Sequence, residues 1–549
     1  MIISLTHKLL VKEFIEIVSE TNGISLTDTL DLMLSSSLKN KNAEAYQWVL
    51  EYKNLLNQFI TNQIRLPELK KHHFTAVLEE FFRRFPLKYQ EEHIHLSGSL
   101  TAEFVWSKLE PLINGPHAHL YEKKIKSVYG DNSWPIRSAE DVDKLIRLKE
   151  TEGFTTYLRI LFLPSLIFIS REAHADAAYH MANELYTKHN VGSIRLKFTL
   201  NRSTSSSNDQ IPGLDQVTSE DVLMGLYEGF KKFQNQHKNF QFILSPSFRK
   251  EASHFDSLKF SSRKEHFMQQ VDEILQLINK YPELSSHLLE VDTVGDEREM
   301  YRKEHFFELQ HGFRKLQFRG FKIKSHHGET WHTLKKGIQA VDNAMNIWHI
   351  DALEHGISLG INPNLYFHKL YQRVIKANLA GLPVDRQSTD YNELVELNWG
   401  NYKPILTKLI SGETLTETDR TLFLKSKFHT AREVEQYQHD VLNRLIQKGV
   451  SLITLPSSNN KLTGKFEDYK DHPFSWWEKK NVQLGVGTDN YITLNTNYIQ
   501  EMLILLLTDP TNLKITKLLM VTTGETRRPF ISQLLWKMRK DVNHNAELS

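Results

Sequence analysis

The sequence predicts an α/β fold, a (β/α)8 barrel of the TIM type with an N-terminal helical segment and long helical insertions. Eight short segments have the character of strands, and helical stretches separate most of them. Valine, isoleucine, leucine and phenylalanine dominate most of these segments, as expected of parallel strands buried on both faces. Histidine and aspartate recur where several of them end, the edge at which such barrels place their sites. The eight segments are residues 90–95, 193–200, 240–245, 288–294, 320–326, 350–355, 450–455 and 482–488.

Composition limits the kinds of protein that this chain can be. Its 549 residues exceed one ordinary small domain, although a barrel with insertions accommodates much of that length. The net charge of +2 favours neither a nucleic-acid partner nor a membrane surface. The sequence has no cysteine, which excludes disulfides and thiolate sites and fits a reducing compartment. We therefore expect a cytoplasmic protein whose chemistry rests on histidine, aspartate and glutamate.

No segment is expected to enter a membrane. The N-terminal residues lack the long apolar core and the small-residue cleavage site of a signal peptide. The most apolar run, residues 158–169, is interrupted by Pro164 and is shorter than the ~20 apolar residues that a membrane span needs. It is predicted to form a buried helix or a pair of helices in a soluble protein.

Helices are predicted before the barrel and in two long connections. Apolar residues recur at helical spacing in residues 1–88, and no chemistry is visible there, so this segment would pack on the barrel or form an oligomer contact. The long connections are predicted to be helical subdomains. In the second, separate helices are expected near 364–380, 391–410, 416–427 and 433–448. The predicted units are 1–88, 89–363 with a helical lid at about 100–190, 364–430, 431–530 with strands seven and eight, and a tail at 531–549.

The fifth predicted strand carries the most informative motif. Phe321 and Ile323 alternate with lysines and lead into His326-His327-Gly328-Glu329. A strand end that delivers an imidazole, a glycine and a carboxylate can hold a metal ion and a proton donor together. Three other predicted strand ends are also rich in such groups: His93-Ile94-His95-Leu96-Ser97-Gly98, His355-Gly356 and Thr488-Asp489-Asn490.

The His93 and His95 pair is weak evidence by itself, because about one His-x-His pair is expected by chance among 26 histidines. Strand alternation nevertheless places both imidazoles on one face, as two ligands of one ion require. A second pair, His117 and His119, follows a turn-forming Asn-Gly-Pro and is interpreted as incidental.

Taken in sequence order, the four strand-end motifs resemble those of the adenosine/AMP deaminase family of the metal-dependent amidohydrolase superfamily. The family pattern is His-x-His-Leu-Asp-Gly, then His-Ala-Gly-Glu, then Gly-His-Gly, then Thr-Asp-Asp-Pro. The resemblance implies one Zn²⁺ per chain, with water in the open position. Its protein ligands would be His93, His95, His326 and Asp489.

The resemblance also implies roles for the groups around the metal. Glu329 would protonate the purine ring at N1, and His355 would handle the proton of the attacking water. Attack at the carbon that bears the amine then releases ammonia. Gly295 resembles the family glycine whose backbone contacts the purine, although a helix-capping turn explains the following Asp296 and Glu297 equally well. Two further resemblances, residues 455–459 and 472–473, are predicted to be structural.

Three departures from the family pattern bear on the substrate. Ser97 replaces the aspartate that binds the free 5′-hydroxyl in nucleoside deaminases, which removes a charge that would repel a phosphate. Asn490 replaces the second aspartate of Thr-Asp-Asp, and its amide can still donate to purine N7. Arg195 and Lys197 stand where the family usually has Glu-x-Arg, so a cation, with Arg195 as the candidate, is expected near the barrel mouth. AMP or dAMP is therefore predicted to be favoured over adenosine or deoxyadenosine.

The prediction is an adenine nucleotide or nucleoside deaminase, with a small-molecule purine as its partner and no direct contact with nucleic acid or membrane. Two alternatives stay open: an amidohydrolase that acts on another amino-heterocycle, and a nucleotide-binding assembly or sensor protein. The helical insertions could support a homo-oligomer. The helical insertions are also similar to the insertions of enlarged deaminase-like proteins in bacterial antiviral systems, which suggests antiviral defence as a setting.

Overall fold

Eight parallel strands, hydrogen-bonded in sequence order, form the centre of the part of the chain that is described, residues 4–150, 152–200, 210–464 and 468–547 of a computed structural model. Each predicted strand is present, and the predicted barrel is confirmed. Most of the strands are buried, which agrees with their apolar sequences. The strands are β1 (Tyr89–His95), β2 (Val191–Phe198), β3 (Gln241–Arg249), β4 (Glu290–Val294), β5 (Lys322–His327), β6 (Ala352–His355), β7 (Ser451–Thr454) and β8 (Leu484–Val486).

The barrel closes between its first and last strands. Ile94 and Asp489 form a parallel bridge just beyond the end of β8. The backbone N–H of His95 donates to the carbonyl oxygen of Asp489 at 2.9 Å, and the N–H of Asp489 donates to that of His93 at 2.9 Å. The closure therefore brings the His-x-His motif of β1 beside the aspartate after β8.

The N-terminal segment is helical over its described residues, as predicted. Its first helix packs against the C-terminal helix Arg528–Glu547, where Ile531, Leu535 and Met538 are buried. The predicted domain boundary at residue 531 therefore falls inside this C-terminal helix, which packs against the first helix of the chain. The N-terminal helices are Leu5–Glu20, Leu26–Ser35, Leu38–Lys41, Ala43–Ile60, Leu66–Lys70 and His73–Arg84.

The connection between β1 and β2, predicted to be a lid, is helical. The apolar run at 158–169 gives two short helices, Phe154–Ile160 and Phe162–Ser165, with buried residues in each. His117 precedes a helix outside the barrel, in agreement with its interpretation as incidental. The remaining helices of this connection are Ala102–Ile113, Ala118–Tyr129, Ala139–Ile146 and Arg171–Lys188.

The insertion after β6 differs from the prediction in two respects. The stretch near 391–410, expected as one helix, forms two, Thr389–Glu396 and Lys403–Ser411. Residues 416–427 and 433–448 were expected to form separate helices, but a single helix of 31 residues runs over Glu417–Gln447. The intervening residues include no glycine or proline, and Thr430 and Ala431 are buried, so nothing interrupts the helix. The other helices of the insertion are Pro363–Leu379, Thr389–Glu396 and Lys403–Ser411.

The remaining helices follow strands β2, β3, β4, β5, β7 and β8. Among the described residues, no helix combines the length and the apolar character that crossing a bilayer requires. These helices are Ser219–Gln236, Arg263–Lys280, Lys303–Phe318, Leu334–Asn343, Pro456–Thr463, Phe474–Lys479, Tyr498–Thr508 and Ile515–Thr523.

Candidate active site

A cavity of about 540 Å³ opens at the carboxyl ends of the strands. Polar side chains from the strand ends form its floor, and lid residues such as Phe154, Leu158 and Phe162 form an apolar wall. A second cavity of about 310 Å³, near Lys369 and Trp476, contains none of the predicted ligands. The first cavity is therefore the candidate active site.

The predicted metal ligands meet at the floor of this cavity. The Nε2 atoms of His93 and His95 are 3.1 Å apart, close to the ~3.3 Å that separates two donors of a tetrahedral zinc ion with bonds of about 2.0–2.1 Å. Single donor atoms of His93, His95 and His326 lie within 4.8 Å of one another, and so do those of His93, His355 and Asp489. His95 Nε2 is 3.6 Å from Asp489 Oδ1, which joins the two groups.

The protonation states of the predicted ligand side chains favour the binding of a cation. Burial lowers the pKa of His93, His95 and His326, so their imidazoles are neutral and have lone pairs to offer. Burial alone would raise the pKa of Asp489, but the facing His95 and His355 lower it, so this carboxylate is ionised. Neutral imidazoles and one carboxylate are a donor set that zinc accepts, and the residues present therefore fit a zinc ion.

Carboxylates behind the histidines orient two of the rings. His93 Nδ1 is 2.6 Å from Glu354 Oε2, and His326 Nδ1 is 3.1 Å from Asp292 Oδ1. A hydrogen bond from Nδ1–H to a carboxylate fixes the tautomer that leaves Nε2 free for an ion. Glu354 was not predicted, although it directly precedes His355 in the sequence.

Asp489 and His355 adopt left-handed backbone conformations, with φ of 63° and 69°. Side chains other than glycine rarely adopt this conformation, and such residues concentrate at functional sites. Ser458 donates to Asp489 Oδ2 at 2.6 Å, and Asn459 Oδ1 lies 2.9 Å from His355 Nδ1. The segment that was predicted to be structural therefore contacts two candidate site residues directly.

Glu329 lies next to the histidines. Its Oε2 is 3.8 Å from His355 Nε2, and burial raises its pKa to about 7. Burial opposes the protonation of His355, but Glu329 and Asp489 outweigh it and raise the pKa of that imidazole. Near pH 7 a carboxyl group of this kind can hold a proton and release it.

A second buried carboxylate holds the loop that carries Glu329. Glu297 accepts hydrogen bonds from the backbone N–H groups of Gly328, Glu329 and Thr330, at 2.9, 2.6 and 2.7 Å. The helix-capping interpretation of Glu297 was therefore wrong: the loop after β5 supplies the donors. The adjacent Asp296 does bond locally, since it accepts from the N–H of Arg298 at 3.0 Å.

Three of the predicted substrate-binding residues line the cavity, namely Ser97, Gly295 and Asn490. Gly295 has a φ of 104°, which strains any residue with a side chain, and a Cβ there would lie 2.2 Å from Glu251 Oε2, so that carboxylate would have to move. Asn490 donates to Asp489 Oδ1 at 2.8 Å, while its buried Oδ1 has no hydrogen-bond partner among the described residues.

Arg195 does not line the cavity, which corrects its prediction as a substrate-binding residue. Its Nε is 2.7 Å from Glu92 and its Nη1 is 2.6 Å from Glu290, inside the barrel. Lys197, two positions along β2, is the residue that reaches the cavity floor. Strand alternation puts both side chains on one face but does not say which of them stands at the carboxyl end of the barrel.

The lid contributes a site residue that the sequence did not indicate. The Tyr157 hydroxyl donates to Asp489 Oδ1 at 3.0 Å and also accepts from the side-chain amide of Asn490. Burial raises the pKa of Tyr157 well above its ordinary value, so the phenol is protonated and acts as a donor. The only sequence signal for this residue was its position within an apolar lid segment.

Comparison with known proteins gives similarities of structure alone. No family model matches the chain, and no curated protein matches its sequence. An adenine deaminase from Arthrobacter aurescens is 11% identical with a TM-score of 0.47, over 83% of this chain and 99% of that one. An N6-methyl-AMP deaminase from Arabidopsis thaliana is 12% identical with a TM-score of 0.45, over 83% and 97%. An amidohydrolase from Burkholderia ambifaria, with bound zinc, is 12% identical with a TM-score of 0.48, over 84% and 94%. These are likenesses of fold, and they assign no activity to this chain.

Proposed function

We propose that the chain is a zinc-dependent hydrolase that deaminates an adenine nucleotide or nucleoside, with AMP and dAMP favoured, to the inosine form and ammonia. One observation carries the proposal: neutral His93, His95 and His326 converge with ionised Asp489 beside Glu329, a buried carboxyl group with a pKa of about 7. A metal site next to a proton donor is what hydrolysis of a ring C–N bond requires.

The proposed ligands of the zinc ion are His93, His95, His326 and Asp489. When bound, the ion would supply Lewis-acid chemistry, since a divalent cation lowers the pKa of water to about 7. Tyr157 and Ser458 donate to the two oxygens of Asp489 and so fix the direction of its carboxylate.

Glu329 and His355 are the proposed proton-transfer groups. Addition of water to the ring carbon places negative charge on the neighbouring ring nitrogen, and protonated Glu329 would neutralise it by donating a proton to N1. His355 would accept the proton of the attacking water and return it to the departing amine. Asn459 holds the far nitrogen of His355, which directs Nε2 toward Glu329 and the cavity.

Gly295 and Asn490 are the proposed purine-binding residues. The absence of a side chain at Gly295 leaves its backbone accessible from the cavity. Asn490 carries a buried amide at the cavity wall, and its amide hydrogens already donate to Asp489 and Tyr157, so donation to an acceptor such as N7 would replace one of these two bonds. The apolar lid residues would cover the faces of the ring.

The proposed preference for a monophosphate rests on Ser97 and on a cation that was not predicted. Ser97 places a neutral hydroxyl where a carboxylate would repel a phosphate. Arg249, at the end of β3, lines the same cavity, and its guanidinium now pairs with Glu251 at 2.6 Å. Arg249 takes over the role predicted for Arg195, because it has a side chain that a phosphate can reach.

Ammonia release tests this proposal. The zinc-loaded protein should convert AMP and dAMP with a higher kcat/KM than adenosine and deoxyadenosine, and removal of the metal should abolish the reaction. Ammonia from another amino-heterocycle, but from no adenine compound, would establish the different amidohydrolase instead. Binding of nucleotide without ammonia release would favour a sensor or assembly protein.

A further inference from the structure

Five fully buried or nearly buried groups form one continuous network below the candidate metal site. Lys197 Nζ lies 2.9 Å from Glu354 Oε1 and 3.1 Å from Asp292 Oδ2. The other oxygen of Glu354 is 2.6 Å from His93 Nδ1, and the same Oδ2 of Asp292 is 3.0 Å from His326 Nδ1. One ammonium group thus connects the two carboxylates that orient two of the proposed metal ligands.

The network occupies a part of the barrel that is normally apolar. Lys197, Asp292 and Glu354 come from the even-numbered strands β2, β4 and β6, and all three side chains are fully buried. Alternate strands of such a barrel fill one interior layer, where branched aliphatic residues usually dominate. Burying charged groups away from water costs free energy unless they are paired. These three residues are therefore expected to have a role that aliphatic residues could not fill.

We infer that Lys197 is a positioning residue that holds His93 and His326 in register through Glu354 and Asp292. This inference rests on the proposed metal site. Glu354 is fixed at both ends, because each of its oxygens has its own partner. Asp292 instead presents one oxygen, Oδ2, to both Lys197 and His326. Since a single ammonium group fixes both carboxylates, it sets the spacing of the two imidazoles as well as the direction of each ring.

Two other cations of the barrel interior, Lys324 and Arg195, do not duplicate this arrangement. Lys324 is 3.6 Å from Glu354 Oε1 but shares no contact with Asp292, and its remaining partners are Glu92 and Glu290. Arg195 pairs with Glu92 and Glu290 and contacts neither carboxylate that faces a histidine. Arg195 is therefore a matched control, a partly buried cation of the same barrel interior without the histidine connection.

The test is zinc affinity, measured by competition with a chromophoric chelator on Lys197→Met, Arg195→Met and the wild-type chain. We expect Lys197→Met to bind zinc at least about tenfold more weakly, the loss typical of groups that orient metal ligands, and Arg195→Met to keep the wild-type affinity. The visible absorption bands of the Co²⁺-loaded protein should change in Lys197→Met alone, since they report ligand geometry. Circular dichroism of the metal-free proteins establishes that each variant is folded.

A second variant keeps the inference testable if Lys197→Met does not fold. Glu354→Gln has one acceptor where the carboxylate has two, so it can serve either Lys197 or His93 but not both. It should also weaken zinc binding by about tenfold. Wild-type affinity and an unchanged Co²⁺ spectrum in a folded Lys197→Met, or in Glu354→Gln, would overturn the inference. If the wild-type chain itself bound no zinc, the metal site would fail, and this inference would fail with it.

Discussion

Glu329 Oε2 lies 3.8 Å from His355 Nε2, so the candidate acid and the candidate base face each other across the cavity floor. Their mutual attraction favours the ion pair, whereas burial favours a neutral Glu329 and holds its pKa at about 7. The pair is therefore poised so that a proton can rest on either group near neutral pH. The first prediction addresses the acid.

Glu329→Gln should lower kcat for AMP deamination by about 100-fold or more, because an amide cannot donate a proton to the ring. Zinc content and KM should change little, since the interaction forms as charge develops. The exposed neighbour Glu299, which pairs with His332 at 2.7 Å, provides the control Glu299→Gln. A kcat near the wild-type value in Glu329→Gln would remove Glu329 from the mechanism.

The same substitution should stabilise the metal-free protein at alkaline pH. A carboxyl group whose pKa rises from 4.5 to about 7 on folding favours folding less as the pH rises through that window. Above pH 7, this raised pKa lowers the free energy of unfolding by about 3 kcal/mol, at about 1.4 kcal/mol per pKa unit. Urea unfolding of metal-free Glu329→Gln should therefore show a gain over wild type at pH 8 that vanishes at pH 4.

The exposed carboxyl of Glu103 serves as the control for this measurement. Glu103→Gln shows how much of the difference comes from a Glu→Gln exchange at an exposed position. If Glu329→Gln gave the same free energy of unfolding as wild type at both pH 4 and pH 8, the raised pKa of Glu329 would be wrong.

The sequence predicted the barrel well because most strands are short, buried runs rich in apolar residues, although β1 and β5 are largely polar. It also predicted that His93, His95, His326 and Asp489 meet, since residues at parallel strand ends share one edge. It could not predict the contact between His93 and Glu354, which are 261 residues apart, because such pairs depend on how strands face across the barrel. The sequence also could not tell that Lys197, and not Arg195, lines the cavity. Strand alternation places both side chains on one face but does not say how close each lies to the carboxyl end of the barrel.

Ser97→Asp should shift the substrate preference from AMP toward adenosine by about tenfold or more. The new carboxylate would repel a phosphate across a poorly screened cavity and would offer an acceptor to a free hydroxyl. The measurement is the ratio of kcat/KM for the two substrates, with Ser97→Asn as an uncharged control of similar size. Indifference of that ratio to Ser97→Asp would show that Ser97 does not select the substrate.

Asn459→Ala should reduce kcat by up to about 100-fold while zinc binding persists. Asn459 holds His355 Nδ1 at 2.9 Å, and an imidazole that is misplaced by even ~1 Å loses its alignment with the attacking water. The adjacent, less buried Asn460 offers Asn460→Ala as a matched control. Equal kcat values in the two variants would mean that Asn459 has no positioning role.

The most direct test of the central claim combines zinc analysis with AMP deamination in wild type and His326→Ala. The wild-type chain should contain about one zinc ion and release ammonia from AMP, because three imidazoles and Asp489 converge on one site. His326→Ala should lose both properties together while remaining folded. Full zinc content and full activity in His326→Ala would contradict the proposed site.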